Sequence, residues 1–220
     1  DRSRGLGDVY KRQIPRLGSG GSPLVALNLT KNRSREYYVI NAFVRSVKMK
    51  IFIASDIHGS EHYCKIMAEK YREESADKLL LLGDLLYHGP RNDLPLVYNP
   101  RGVIAILNSL KNEIICVRGN CDTEVDQMVL DFPIMAEYAI IYDGNKTIYA
   151  THGHKFNPQN PPMLKSGDIL LNGHTHIPAN EAFGEFYYVN PGSVSIPKNG
   201  SNHSYMIYEN GKFTLKNLCD

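Results

Sequence analysis

An α/β chain with two packed β-sheets and helices outside them is what three features of the 220 residues predict. Apolar runs of strand length alternate with amphipathic helical stretches between residues 49 and 131, a βαβαβ order that calls for a largely parallel sheet with crossover helices. Beyond residue 138 the chain is richer in strands, and two tight-turn signals make it partly antiparallel. An apolar fraction of 42% is enough for one sizeable core in a chain of this length.

The elements follow in order. Ile51 to Ala54 is the first strand, ending at Ser55-Asp56, and Ser60 is placed to cap a helix whose Tyr63, Ile66, Met67 and Tyr71 keep a helical period. The run "DKLLLLGD" is a second buried strand. A Pro-rich loop from His88 to Pro100 leads into a helix with Val103, Ile106, Leu107 and Leu110 on one face. "EIICVRGN" is a third strand, and Thr123 to Asp131 a short helix that Pro133 stops. In the second half, Tyr138 to Tyr142 and Lys146 to Thr151 flank Asp143-Gly144-Asn145, while Tyr205 to Glu209 and Lys212 to Leu215 flank Asn210-Gly211. Asn-Gly suits a type I′ turn, whose two central residues both need positive φ. Strands are also expected at Asp168 to Asn172 and Phe186 to Val189.

Composition narrows the function classes. No apolar run approaches the roughly 18 to 20 residues of a membrane span, so a soluble protein with no membrane partner is expected. Cys64, Cys116, Cys121 and Cys219 form no CxxC pair, which argues against a zinc ribbon or a redox motif and predicts reduced thiols in a cytoplasm. The formal charge of +2 is unevenly placed: residues 1–47 hold nine Lys and Arg against three Asp and Glu, and the remainder holds sixteen against twenty. The folded part is therefore mildly acidic, and no nucleic-acid partner is expected from it. Residues 1–47, with scattered Arg, a Gly/Ser cluster and no sustained apolar period, read as a disordered or non-native N-terminal extension; a transit peptide lacks an amphipathic face there. The domain is expected to span residues 49–220, with Met49 as its natural start.

In open α/β sheets the chemistry gathers at the carboxyl ends of strands. Here those ends carry Asp56-x-His58, Gly83-Asp84, Gly119-Asn120-Cys121-Asp122, Thr151-His152-Gly153-His154 and Gly173-His174-Thr175-His176. Each alone has a plainer explanation: a turn with a surface His, a loop or capping Asp, a structural His. His62, His88 and His203 have no such context and are left with that explanation. Coincidence changes the balance, because five of the eight histidines and three carboxylates fall in five short motifs, each just after a strand and most beside a Gly that lets backbones approach.

Oxygen and neutral imidazole donors without thiolates suit manganese, iron, zinc or similar divalent ions. Asp56, His58, Asp84, Asn120, His152, His174 and His176 are too many for one ion. Two ions about 3.5 to 4 Å apart, sharing a bridging carboxylate, use them all and form a clamp for phosphoryl chemistry.

In this order the five motifs resemble the signature of the metallophosphoesterase, or calcineurin-like phosphoesterase, family. More narrowly, "ASDIHGS", "HGPRN", "VRGNCD", "EVDQM", "THGH", "GHTHIP" and "NPGSVSIPK" are similar to its YfcE-type bacterial phosphodiesterase branch. The resemblance runs from Met49 to the C-terminus. It implies a four-layer α/β/β/α sandwich of two mixed sheets, with Asp56, His58 and His176 on one metal, Asn120, His152 and His174 on the other, and Asp84 bridging. His174 and His176 thus serve one ion each. The implied cofactors are two divalent ions, manganese first, with nickel, iron or zinc as alternatives.

One departure bears on the substrate. Many relatives follow Gly-Asn with a His that contacts substrate and protonates the leaving group; here that place is Cys121, followed by Asp122. A thiol with a pKa of about 8.5 is a poor general acid near neutrality, so small diesters with good leaving groups are favoured over monoesters. Asp84, Asn120, Cys121, Asp122 and His154 are the expected catalytic groups, with Asn92, Cys121 and His154 contacting substrate and Arg91 a weaker candidate. The expected mechanism is in-line attack by a hydroxide that the two metals activate. Cys121 as a covalent nucleophile lacks an indicated base, and a nuclease would want a basic groove. The alternative from another class is a metal-free scaffold of the same fold that binds proteins. Natural substrate and oligomeric state, a homo-oligomer included, are not written in the motifs.

Overall fold

The computed structural model describes residues 26–31, 38–43 and 49–219. The chain divides into two units, residues 1–47 and 48–220. In the first, β1 (Ala26–Lys31) pairs antiparallel with β2 (Tyr38–Phe43), a ladder where the sequence reading assigned no element; the rest of the expected extension lies outside the described residues.

The second unit is built on two mixed five-stranded sheets. One has the order β12 (Lys212–Asn217), β11 (Ser204–Glu209), β3 (Ile51–Ala54), β4 (Lys78–Leu81) and β5 (Ile114–Cys116), with β3, β4 and β5 parallel and β11 antiparallel to β3. The other has the order β6 (Ala139–Asp143), β7 (Lys146–Ala150), β8 (Ile169–Leu171), β10 (Phe186–Asn190) and β9 (Ala179–Phe183), with β7, β8 and β10 parallel.

Period-two alternation assigns each strand residue to a layer. Ile51, Ile53, Leu80, Leu82 and Met206 of the first sheet meet Ile148, Ala150, Leu171 and Val189 of the second in one buried cluster. The residues between them, Phe52, Ala54, Leu79 and Leu81, face the other way. There they pack on α1 (Glu61–Glu73) through Cys64, Met67 and Tyr71, and on α2 (Pro100–Asn108) through Val103 and Leu107. Each large apolar side chain buried this way contributes about 1.5–3 kcal/mol. Ser60 caps α1 as expected, its hydroxyl accepting from the Tyr63 N–H, and Asn210 and Gly211 turn with φ of 54° and 77° between β11 and β12.

Three local features differ from the sequence expectation. The far face of the second sheet carries no helix among the described residues. The connection from β7 to β8 holds Pro158, Pro161 and Pro162, which break helices, and its Phe156 packs edge-on against Tyr149. The helix expected over Thr123 to Asp131 is only Glu124–Gln127, α3. Beyond it, the Gln127 amide donates to the carbonyls of Leu130 and Phe132 and accepts from the Ile134 N–H, tying that chain down in irregular form while Leu130, Phe132 and Ile134 enter the core. Finally, β9 was not foreseen, because Ala-Asn-Glu-Ala-Phe is an exposed edge strand with little β character.

Candidate metal centre

The five motifs leave the carboxyl ends of parallel strands: β3, β4 and β5 in one sheet, β7 and β8 in the other. The two sheets pack face to face, so those ends meet at one edge of the sandwich. Close backbone approach makes the meeting tight. A Cβ on Gly119 would lie 2.1 Å from Asp84 Oδ1, and one on Gly173 would lie 1.9 Å from Ser55 Oγ.

Backbone conformation marks the same place. Asp56, His58, Asp84, His174 and His176 have φ of 59°, 48°, 55°, 65° and 61°. Non-glycine residues in this left-handed region cost about 1–3 kcal/mol each and persist where their surroundings fix them. The fixing is visible. The Asp56 carbonyl accepts from the hydroxyls of Ser193 (2.9 Å) and Ser195 (3.1 Å), and the Asn190 amide donates to the Gly173 carbonyl at 2.8 Å.

The seven expected ligands converge. His176 Nε2 lies 3.3 Å from both Asp56 Oδ1 and His58 Nε2, and His58 Nε2 lies 3.6 Å from that same oxygen. On the other side His152 Nε2 is 3.1 Å from Asn120 Oδ1 and 3.2 Å from His174 Nδ1. Asp84 stands between the groups, its Oδ2 3.7 Å from His58 Nε2 and 3.4 Å from His152 Nε2, while its Oδ1 accepts from the Cys121 N–H at 2.8 Å.

Hydrogen bonding from behind sets the imidazole tautomers. The Nδ1–H groups of His58, His152 and His176 donate to the carbonyls of Tyr87 (2.7 Å), Leu82 (2.6 Å) and Ile196 (2.6 Å). Each Nε2 therefore points inward, the arrangement metal-ligating histidines need. The Nε2 atoms of His58 and His176 face each other across 3.3 Å and both face the buried Asp56 Oδ1, so this cluster needs a shared proton or a cation at its centre. The residues present thus fit divalent metal ions, by donor type and by direction.

Protonation shows the same pull on positive charge. Burial would raise the Asp56 carboxyl, but the imidazoles of His176 and His58 hold it well below the usual carboxylate range. Burial would lower His152, yet its bond to Asp84 and the two carboxylate charges raise it to about 9. Burial lowers His174, and the positive charge of His152 beside it lowers it further, to about 4. A metal ion held at His152 would compete with the proton on that ring for one lone pair, so binding there would release a proton.

The remaining expected site residues divide. Asn92, Arg91 and Cys121 line a cleft of about 370 Å³ together with Asp84, His58 and His176. The Cys121 thiol, pushed up by burial and by the Asp84 charge, has the Asn120 amide as its hydrogen-bond donor. Asp122 does not face the cleft. Its carboxylate is fully buried and accepts from the N–H groups of Asp84 (2.8 Å), Gly119 (2.7 Å) and Leu85 (2.9 Å), so the geometry makes it a positioning residue, not one that touches substrate. His154 lines an adjoining pocket of about 430 Å³, beyond His174 and Thr175, with Asn157, Pro158 and Phe183. Sequence reasoning assigned no role to Asn190, Ser193, Ser195 or Lys198. Their signal was the Asn-Pro-Gly-Ser run at the end of β10, which carries supports for the site and then Lys198 on the cleft wall.

Residues 49–212 match the family model described as the calcineurin-like phosphoesterase superfamily domain. The chain belongs to that superfamily. Phosphodiesterase YfcE of Escherichia coli strain K12 is 46% identical over 172 residues, which is 78% of this chain and 94% of that protein. The solved structure of E. coli YfcE, a phosphoesterase, superposes with a TM-score of 0.76 over the same shares of the two chains. A structure of an archaeal phosphodiesterase, 20% identical and covering 76% of this chain and 99% of its own, has a TM-score of 0.55 and bears on the fold alone. Within this calcineurin-like chain, the two mixed five-stranded sheets are those the family signature implied.

Proposed function

We propose that this chain is a metal-dependent phosphodiesterase that hydrolyses small diesters using two divalent ions, manganese first among them. The observation that carries the reading is the position of Asp84, whose Oδ2 lies between the inward Nε2 atoms of His58 and His152. The 46% identity to a protein named as a phosphodiesterase supports the choice of diesters. Asp56, His58 and His176 would hold one ion, Asn120, His152 and His174 the other, and Asp84 would be shared. When bound, such ions supply Lewis acidity toward phosphoryl oxygens and a water of lowered pKa.

The chain's own residues do the rest. The carbonyls of Tyr87, Leu82 and Ile196 hold three imidazoles in the ligating tautomer, and Asp122 holds the loops of Asp84 and Gly119 in register. Asn92 and Cys121 line the wall where an ester arm would lie, and His154 would meet an arm that enters the adjoining pocket. Among the described residues Cys121 sits against the Asn120 amide and the Asp84 carboxylate and has no imidazole as a hydrogen-bond partner, which supports a polar contact over covalent attack. The scaffold alternative expects missing ligands, and all seven are present. The four free thiols support a cytoplasmic setting.

Asp84→Asn tests the bridging role. Manganese-dependent hydrolysis of bis-p-nitrophenyl phosphate should fall by about a hundredfold or more, on the scale of removing a group that stabilises developing charge. Near-normal turnover with normal metal content would overturn the reading.

A further inference from the structure

Two cations share the cleft with the metal-ligand set, Lys198 with no assigned task and Arg91 with only a general substrate contact. Arg91 and Lys198, both exposed, line it beside Asp84, His58 and His176, and neither has an ion-pair partner among the described residues. Each stands on a fixed piece of backbone. The Lys198 N–H donates to the His176 carbonyl at 3.2 Å, and its own carbonyl accepts from the Ser201 N–H (3.0 Å) and hydroxyl (2.7 Å), across a turn through Asn199 and Gly200 at φ of 53° and 73°. Arg91 sits within a turn closed by the Asn92 N–H on the Gly89 carbonyl at 3.4 Å and by the Asn92 amide on the His88 carbonyl at 2.8 Å. Both mounts are therefore set before any ligand arrives, which lowers the ordering cost of a contact.

Among the described residues no carboxylate pairs with these cations. Asp56 and Asp84 are committed to the imidazoles and to backbone N–H groups, and Asp122 spends both oxygens on three N–H donors. A diester phosphate carries one negative charge, and the metal-ligand set is built to receive it. Arg91 and Lys198 remain for a second anion.

We propose that Arg91 and Lys198 form an anion subsite, so that the preferred substrate is a phosphodiester whose non-leaving arm carries a further anionic group, a phosphate or a carboxylate. This rests on the phosphodiesterase reading and names the class of substrate within it. Guanidinium and ammonium groups on preformed turns bind phosphate oxygens through charge-assisted bonds. Selection thus falls on the arm, not on the reacting phosphorus.

The test compares p-nitrophenyl diesters whose other arm is choline, an uncharged nucleoside, or the same nucleoside bearing a phosphate, hydrolysed by the manganese-loaded protein. The phosphate-bearing arm should raise kcat/KM about tenfold over the uncharged one, mostly through KM, and choline should be poorest; tenfold corresponds to about 1.4 kcal/mol. Lys198→Met and Arg91→Met should each remove most of that preference, and Lys198→Arg should keep it. A second readout needs no turnover: titration calorimetry of the metal-free protein with a nucleoside monophosphate and with the unphosphorylated nucleoside. The monophosphate should bind more tightly, and the two Met variants should erase the difference. A flat or reversed order of arms, or a preference that survives both variants, overturns the subsite. Failure to hydrolyse any of the three diesters overturns the phosphodiesterase reading, and the calorimetry then decides the subsite by itself: equal affinity for the nucleoside with and without its phosphate refutes it.

Discussion

Asp122→Asn separates a carboxylate that does chemistry from one that holds the chain in place. The wild-type side chain is fully buried and accepts three backbone N–H bonds, two at Oδ2 and one at Oδ1. An amide of the same shape keeps one acceptor oxygen. In its better orientation that oxygen retains the Asp84 and Gly119 N–H groups, and the Leu85 N–H is left facing an NH₂ donor. A buried donor without an acceptor costs about 1–3 kcal/mol, and the weaker surviving bonds are offset because burial and the Asp84 charge already disfavour the ionised Asp122. With a urea m-value of about 2 kcal/mol/M, that cost moves the unfolding midpoint of the metal-free protein down by about 0.5–1.5 M. Because Asp84 hangs from the same clamp, metal affinity should fall with stability. Urea unfolding followed by circular dichroism, paired with metal content after dialysis, reads both. An unchanged midpoint together with collapsed turnover would refute this account and return Asp122 to the catalytic groups.

Other outcomes follow from single residues. Cys121→His places an imidazole where many relatives have one, and should raise the rate on p-nitrophenyl phosphate relative to bis-p-nitrophenyl phosphate by about tenfold or more, as a positioned general acid does; an unchanged ratio would count against the thiol as the source of diester preference. Glu74 is the pH-sensitive tie at the end of α1. Burial would raise its carboxyl, but bonds from Lys216, Lys50 and Tyr205 hold it at about 2 against an ordinary 4.5. A depressed carboxylate stabilises the fold above the unfolded value and loses that contribution as pH falls from about 4.5 to about 2. Chemical denaturation of wild type and Glu74→Gln over that window should show two curves that converge at the acid end; parallel curves would contradict the tie.

Much of the site was legible because its chemistry needs particular residue types at strand ends. Asp56, His58, Asp84, Asn120, His152, His174 and His176 could be found from the turn from apolar run to Gly, Asp, Asn and His. Strand alternation likewise gave the layers, since Ile51 and Ile53 face one core and Phe52 and Ala54 the other. What was hidden depends on tertiary direction. The motif Gly-Asn-Cys-Asp does not say that Asp122 turns back on the chain while Cys121 faces the cleft. Nothing local announces that Lys198 returns beside His176, twenty-two positions away in the chain, because the hydrogen bond that brings it there joins two loops. The left-handed backbone at five ligand positions was equally silent, as it is imposed by packing and not by glycine. The strand β9 and the shortness of α3 escaped for the opposite reason: their local sequence favours something other than what burial of the neighbours selects.

A crystal of the manganese-loaded protein, with data collected at the manganese absorption edge, bears most directly on the centre. Two anomalous peaks about 3.5 to 4 Å apart, one on each side of Asp84 Oδ2, are expected. A single peak, or a pair that leaves Asp84 uncoordinated, would contradict the shared carboxylate and the two-ion chemistry built on it.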